Sequence, residues 1–440
     1  MLNIKPPDAA IRIIRALEAS GHRALLAGGC VRDALLGRQP KDWDIATDAA
    51  PEAVGGLFER TVAVGAQFGV VRVRMGGQEF EVARFREDGA YSDGRHPDSV
   101  RPSDEEGDAK RRDFTINGMF YDVLNHQLLD YVGGRRDLDE GIIRAIGEPD
   151  LRFREDHLRM MRAVRFSARF GFAVEPATAA AIEANAERIG KISPERIRDE
   201  LTIILTQNNS DAAFAMLDSS GLLEYVLPEV AAMKGVAQPP EFHPEGDVWT
   251  HVLAMLRIKR AASPTLSWGI LLHDVGKPAT FTETDRIRFN GHDKAGAAMS
   301  AEVCTRLRMP KARAARIFDL VANHMRFMHV EKMREARLKR FLREPYFGEL
   351  LELHRVDCLA SHGNLRTHEF CARKLGEIRE EALRPPRLLD GRELMAMGYP
   401  AGPKLGEILF ALEDEQLEGR ISTKEEAKEF ARRHFPLSGS

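Results

Sequence analysis

Apolar residues recur with a period of two in the first third of the chain and of three to four after it. Residues 23–27 are a short apolar run closed by Gly28-Gly29, which reads as a strand ending in a tight turn. A short helix is predicted from Cys30 to Leu36, with Gly37 as its stop. Lys41 to Thr47 reads as a strand, and Pro51 opens another helix at its first position. Residues 69–75 and 79–86 alternate like half-buried strands. Residues 87–110 are polar, with Gly, Pro, Asp and Ser throughout, and read as one long loop. Residues 118–123 and 127–132 pair as a hairpin across Asn125-His126.

After Gly133-Gly134 the pattern turns helical, through 156–170, 178–189, 195–206 and 211–218. Pro239, Pro240 and Pro244 mark a boundary. Residues 248–365 are helical again and rich in histidine, Pro385-Pro386 marks a further break, and 403–435 form a helical tail. The fold class is α+β: a mixed or antiparallel sheet with helices, followed by an all-α remainder. The expected domains are 1–147, 148–240, 241–370 and 371–440. No tandem repeat of 20–50 residues is present.

The 440 residues, 43% hydrophobic and 30% charged, fit an ordinary globular protein of two to four domains. No apolar run reaches the ~20 residues that span a bilayer. Met1 to Asp8 lacks the pattern of a signal peptide. Cys30, Cys304, Cys358 and Cys371 are scattered, which suits a reducing cytoplasm and excludes a CxxC site. The net charge of −3 does not mark a nucleic-acid binder. Arg159, Arg162, Arg165 and Arg169 recur at helical spacing, and Lys332, Arg334, Arg337, Lys339, Arg340 and Arg343 cluster; each set reads first as a solvated helix face.

The segment Gly28-Gly29-Cys30-Val31-Arg32-Asp33 precedes Lys41-Asp42-Trp43-Asp44-Ile45. Side chains alternate along a strand, so Asp42 and Asp44 share one face, opposite Trp43 and Ile45. Adjacent carboxylates repel unless a cation joins them, and Mg²⁺ takes such oxygens together with substrate phosphates. The glycines let backbone N–H groups approach a triphosphate, and Arg32 adds charge. The stretch LLAGGCVRDALLGRQPKDWDIATDA resembles the signature of class II tRNA nucleotidyltransferases and bacterial poly(A) polymerases. The resemblance implies that Asp42 and Asp44 ligate the catalytic Mg²⁺, with Glu81 in EFEVARFR as the third carboxylate. Arg111 to Asn117 is similar to the family's RRDFTIN motif, which places Arg112, Asp113 and Asn117 at the ribose and nucleotide. Cys30 and Gly118 stand where the family commonly has alanine, and Trp43 where it has phenylalanine or tyrosine.

Asp156 and Arg159 are three apart and predicted to share one helical face. Together they offer acceptors and donors that imitate a Watson–Crick edge. Glu155 to Arg159 is similar to the family's EDxxR motif, which reads incoming CTP or ATP; the alternative is a simple salt bridge. Arg162 and Arg165 are then candidates for triphosphate or RNA backbone.

His273-Asp274 sits in an apolar helical stretch, where buried charge needs a partner. With His251, His292, His324 and Asp357 it resembles the HD phosphohydrolase superfamily, and the donor set suits Mn²⁺, Ni²⁺ or Zn²⁺. His251, His273, Asp274 and Asp357 match the one-metal core, His292 and His324 allow a second metal, and Lys277 matches a phosphate-binding lysine. The alternative is a metal-free helical scaffold. His243, His329, His354, His362 and His368 match no position of that pattern and read as ordinary residues.

The implied partners are a tRNA 3′ end, CTP and ATP. Val64 to Gly69 replaces the basic segment usual in poly(A) polymerases, which favours tRNA. The loop Glu87 to Lys110 is nearly full length, which favours complete CCA addition or A-addition over CC-addition. Gly402-Pro403 and Gly406 in the tail are candidate contacts to RNA phosphate. Poly(A) polymerase, and a phosphohydrolase acting on RNA ends with a nucleotide-binding head, are the alternative functions.

Overall fold

The computed structural model describes residues 4–63, 69–91, 94, 97–260 and 262–437. Val64 to Phe68, part of the segment that bears on the choice of RNA, lie outside the described residues. The chain divides into two compact units, Met1–Ala231 and Ala232–Ser440.

The first unit opens with helix α1 (Asp8–Ala19), whose buried face carries Ala9, Ala10, Ile13, Ile14 and Leu17. Burying Ile13, Ile14 and Leu17 contributes about 1.5–3 kcal/mol each. Strand β1 (Ala24–Ala27) follows, then α2 (Gly29–Leu35), β2 (Ile45–Thr47), α3 (Pro51–Leu57), β3 (Thr61–Ala63), β4 (Val70–Met75) and β5 (Gln78–Arg84). The predicted strand from Lys41 is shorter than expected: only Ile45–Thr47 is paired, and Asp42 and Asp44 lie in the segment leading into it. The predicted loop 87–110 also carries structure. It holds the end of β6 (Arg86–Asp88), strand β7 (Val100–Pro102) and helix α4 (Glu105–Lys110), which Asp104 caps by accepting from Gly107 N–H. Polarity hid these elements, because β6 and β7 form a separate two-stranded arm and α4 is acidic in its first turn.

The expected hairpin is β8 (Met119–Asp122) and β9 (Gln127–Asp130). The sheet order is β3-β4-β5-β2-β1-β8-β9, with β2 and β5 parallel and the other neighbours antiparallel. Leu25, Ala27, Ala46, Phe85, Ala109 and Phe120 form a core cluster in this sheet domain, with Phe85 and Phe120 edge to face. Helices α5 (Gly134–Glu140), α6 (Pro149–Glu155), α7 (Leu158–Phe170), α8 (Pro176–Asn185) and α9 (Pro194–Thr206) continue the unit.

Among the described residues the second unit is helical apart from one small ribbon, Thr282–Glu283 with Ile287–Arg288. The tail reading resolves into two helices, Pro403–Leu417 and Lys424–His434, which pack through Ile408, Leu412, Ala427 and Ala431. The basic cluster between 332 and 343 divides: Lys332, Arg334 and Arg337 are exposed, whereas Lys339, Arg340 and Arg343 are engaged. Arg340 binds Glu413 and Asp414, Arg343 Nη2 reaches Glu413 Oε1 at 2.8 Å, and Lys339 Nζ donates to Leu417 O at 2.6 Å. Helix Glu335–Leu342 thus carries its charge into an acidic stripe on the tail helix. Among the described residues, no helix is long and apolar enough to cross a membrane.

Candidate functional site

The turn after β1, the start of α2 and the segment leading into β2 line a cavity of about 940 Å³. Gly28 follows β1 with φ of 69°, and a Cβ there would meet Arg112 Nη1 at 2.5 Å. Only glycine fits that turn. Arg32 from α2 is buried; its Nε donates to Asp33 Oδ1 at 2.8 Å and its Nη1 donates to Asn117 Oδ1. Asp33 Oδ2 also accepts from Arg169 Nη2 at 2.9 Å.

Asp42 and Asp44 line this cavity. Asp44 reaches solvent, yet the walls displace much of its hydration, and its carboxyl is pushed up to about 6. Burial contributes most, then the charge of Glu81; Arg112 opposes and Asp42 adds a smaller rise. Glu81 is adjacent because β5 runs parallel to β2 with Val82 beside Ile45. It is half exposed and accepts from Arg72 Nη2 at 3.2 Å. Three carboxylates brought together, with Glu81 and Asp42 both raising Asp44, fit a hard divalent cation.

Asp113 accepts from Phe114 N–H and Asn117 Nδ2 on one oxygen and from Arg162 on the other, which holds it well below the usual carboxylate range despite burial. Arg112 donates from Nη2 to Asp108 at 2.8 Å and from Nη1 to the carbonyl of Asn117 at 3.3 Å.

Asp156 and Arg159 both line the cavity but do not form the expected pair on one helix. Asp156 ends α6 in extended backbone, at φ −140° and ψ 104°, and α7 begins after His157. His157 accounts for the break: its Nδ1 donates to Phe153 O at 2.7 Å. Asp156 instead accepts from Arg196 Nη1 and Nη2, at 3.1 and 2.9 Å. Arg159 donates to Glu155 Oε2 at 2.6 Å and to the carbonyls of Arg152 and Arg111. Arg165 Nε bonds Glu200 Oε1 at 2.5 Å, and burial lowers the guanidinium's proton affinity. The arginine stripe is therefore paired and largely buried, not a solvated face.

Histidines converge on a second cavity, about 730 Å³, in the second unit. Nδ1 of His273, His292 and His324 donates to the carbonyls of Ile270, Phe289 and Val321, at 2.9, 2.8 and 2.7 Å. With Nδ1 so engaged, each ring turns its Nε2 toward the cavity's interior contacts. Nε2 of His292 and of His324 then face each other at 3.1 Å, and both lie within 3.8 Å of Asp274 Oδ1. Nε2 of His273 is 3.1 Å from Asp274 Oδ2, and Nε2 of His251 is 3.1 Å from Asp357 Oδ1, both outside hydrogen-bond geometry. Imidazole nitrogens and carboxylate oxygens gathered at these distances are the ligand types a divalent transition metal takes, so the donor set fits a metal. Among the described residues three groups meet the distances: His243, Glu245 and His251; His251, His273 and Asp357; and Asp274, His292 and His324. Asp274 is held well below its usual range despite burial, by His273 and then Lys277, whose Nζ is 2.7 Å away.

Residues 24–144 match the family described as Poly A polymerase head domain, 171–234 that described as Probable RNA and SrmB-binding site of polymerase A, and 248–358 the HD domain. The chain is 34% identical to the CCA-adding enzyme of Geobacillus thermodenitrificans, covering 96% of both. It is 33% identical to the A-adding tRNA nucleotidyltransferase of Deinococcus radiodurans, covering 93% of this chain and 95% of that one. The chain belongs to the tRNA nucleotidyltransferase family. The crystal structure of the Bacillus stearothermophilus CCA-adding enzyme in complex with CTP superposes with a TM-score of 0.75 at 28% identity, over 98% of each chain.

Seen as a tRNA nucleotidyltransferase fold, the head cavity gathers Gly28, Gly29, Arg32, Asp42, Asp44, Arg112, Asp113, Asn117, Asp156, Arg159, Arg162 and Arg165, with Glu81 beside it. Sequence reasoning missed Arg196, whose tie to Asp156 spans two helices and leaves no local signal. It also missed Glu245. Glu245 Oε1 accepts from His251 Nδ1 at 2.6 Å and from His243 Nδ1 at 2.9 Å. Burial alone would lower His251, but the carboxylates of Asp357 and Glu245 beside it outweigh that and push it up to about 9. A carboxylate behind a ligand imidazole orients the ring and raises its basicity. Glu245→Gln is therefore expected to weaken Ni²⁺ or Mn²⁺ affinity about 10-fold, measured by calorimetric titration. Unchanged affinity would assign Glu245 to packing alone.

Proposed function

We propose that the head cavity extends the tRNA 3′ end with CTP and ATP, completing CCA or adding its terminal A, with no nucleic-acid template. One observation carries the reading: the paired carboxylates Asp42 and Asp44 open onto the same cavity as the base-edge groups Asp156 and Arg159. In the reaction the RNA 3′-oxygen forms a bond to the α-phosphorus, the α–β bridging P–O bond breaks, and pyrophosphate leaves. Mg²⁺, when bound, neutralises charge and acidifies the 3′-hydroxyl. Asp42 and Asp44, with Glu81, would hold it. Gly28, Gly29, Arg32 and Arg112 border the triphosphate region, and Asp113 and Asn117 brace Arg162 and Arg32 there. Asp156 and Arg159 present acceptors and donors to the base, with Arg196 holding Asp156 and Glu155 holding Arg159.

In this reading 1–147 is the catalytic head, 148–240 the neck that reads the nucleotide and binds RNA, 241–370 the HD body and 371–440 the helical tail. The body's cavity acts as a metal-dependent phosphohydrolase on RNA 3′ ends, holding Mn²⁺, Ni²⁺ or Zn²⁺ on its histidines and aspartates. The convergence of the His292 and His324 Nε2 atoms beside Asp274 supports this. The four free, buried cysteines fit a reducing cytoplasm.

Arg159→Ala tests base reading. The ratio of kcat/KM for CTP over ATP is expected to move by roughly 10-fold or more, the 1–3 kcal/mol scale of a bidentate base contact. A parallel fall for both nucleotides, with the ratio kept, would remove Arg159 from base selection.

A further inference from the structure

Phe166 lines the head cavity among its arginines, with Phe170 beside it. Phe166 and Phe170, one turn apart on α7, stack with ring centroids 6.0 Å apart and planes 7° apart. Five guanidinium groups gather around them. Arg32, Arg162 and Arg165 lie 5.2, 5.4 and 4.3 Å from the Phe166 centroid. Arg32, Arg38 and Arg169 lie 4.8, 5.1 and 4.9 Å from that of Phe170. Arg32 faces both rings, so it binds α2 and its successor Arg38 to the neck helix through aromatic faces. Phe114, from the RRDFTIN segment, meets Phe166 edge to face at 5.8 Å.

Packing five cations into this space is costly. The repulsion registers directly: after burial, the charge of Arg169 further lowers the proton affinity of Arg32, and that of Arg162 further lowers Arg165. Carboxylates answer part of it, but Asp33 is shared by Arg32 and Arg169, and each bond to a carboxylate uses guanidinium edge donors. A ring face attracts the guanidinium plane and leaves the N–H edge free. Such contacts can therefore hold arginines in place without consuming the donors a phosphate requires.

We propose that Phe166 and Phe170 are positioning residues: a two-ring platform that pre-orients Arg32, Arg162, Arg165 and Arg169 for the triphosphate of the incoming nucleotide. The proposal rests on the head cavity being the nucleotide site. It predicts a contribution blind to the base, because CTP and ATP share the triphosphate.

Phe170 is the better residue to change, being only half-buried. Phe170→Leu keeps the bulk and removes the π face. KM for CTP and for ATP is expected to rise together, by about 5- to 10-fold, with kcat within about 2-fold and the CTP/ATP ratio kept. Phe170→Tyr and Phe170→Trp retain a ring and should restore KM. A non-reacting triphosphate analogue, titrated calorimetrically, should show the same loss in Phe170→Leu. Rescue failing in both aromatic variants, or KM unchanged in Phe170→Leu, would overturn the platform. If the analogue fails to bind wild-type protein as well, the nucleotide assignment of the cavity falls rather than the role of the rings.

Discussion

Asp44→Ala is expected to lower nucleotide addition by roughly 10³-fold or more, the several kcal/mol of charge stabilisation that a bound metal supplies. Folding should survive, because Asp44 lies at the cavity and not in the sheet core. The companion Asp44→Asn gives a second, opposite-signed readout. Asp44 is raised from 3.8 to about 6 in the metal-free fold. A carboxyl raised on folding adds nothing unfavourable while both states are protonated. Its ionisation then reduces stability as pH climbs through that window, and the loss is complete above about 6. Above that pH, Asp44→Asn should raise the metal-free melting temperature while abolishing the stabilisation that added Mg²⁺ gives the wild type. Polymerisation surviving either variant would remove Asp44 from the chemistry.

The second large effect concerns the other cavity. Asp274→Asn should abolish binding of Ni²⁺ or Mn²⁺ and hydrolysis of bis-p-nitrophenyl phosphate, since Asp274 stands within 3.8 Å of His273, His292 and His324. Asparagine keeps the volume but gives up the negative charge that faces three imidazoles and Lys277. Nucleotide addition should continue at its wild-type rate, because the head cavity is lined entirely by residues of the first unit. Loss of both activities together would mean that the two cavities do not act independently. Hydrolysis persisting in the variant would return the histidine cluster to a scaffold.

The α+β class, the strand–turn–helix around Gly28 and the later hairpin were legible because each is written in local periodicity and punctuated by glycine. The aspartate pair was legible through its spacing, although pairing begins only at Ile45. What escaped was non-local. Nothing near Asp156 announces Arg196, and nothing near His251 except a proline-rich boundary announces Glu245. The break between α6 and α7 was hidden because the apolar spacing runs on through it, while His157 turns back to Phe153 O. The arginine stripe and the cluster at 332–343 were read as solvated faces because charge counts cannot show partners. Asp113, Glu200 and Glu413 supply those from distant sequence. His243 read as ordinary, yet it lies against Glu245 and His251 and forms one of the candidate metal-holding groups with them.

The central claim is tested most directly by incubating purified protein and Mg²⁺ with tRNA transcripts ending before CCA or after CC, supplying CTP and ATP separately and together. The account predicts C, C and A on the shorter transcript, or a single A on the transcript ending in CC. Long A tails on unrelated RNA, or no incorporation at all, would contradict it.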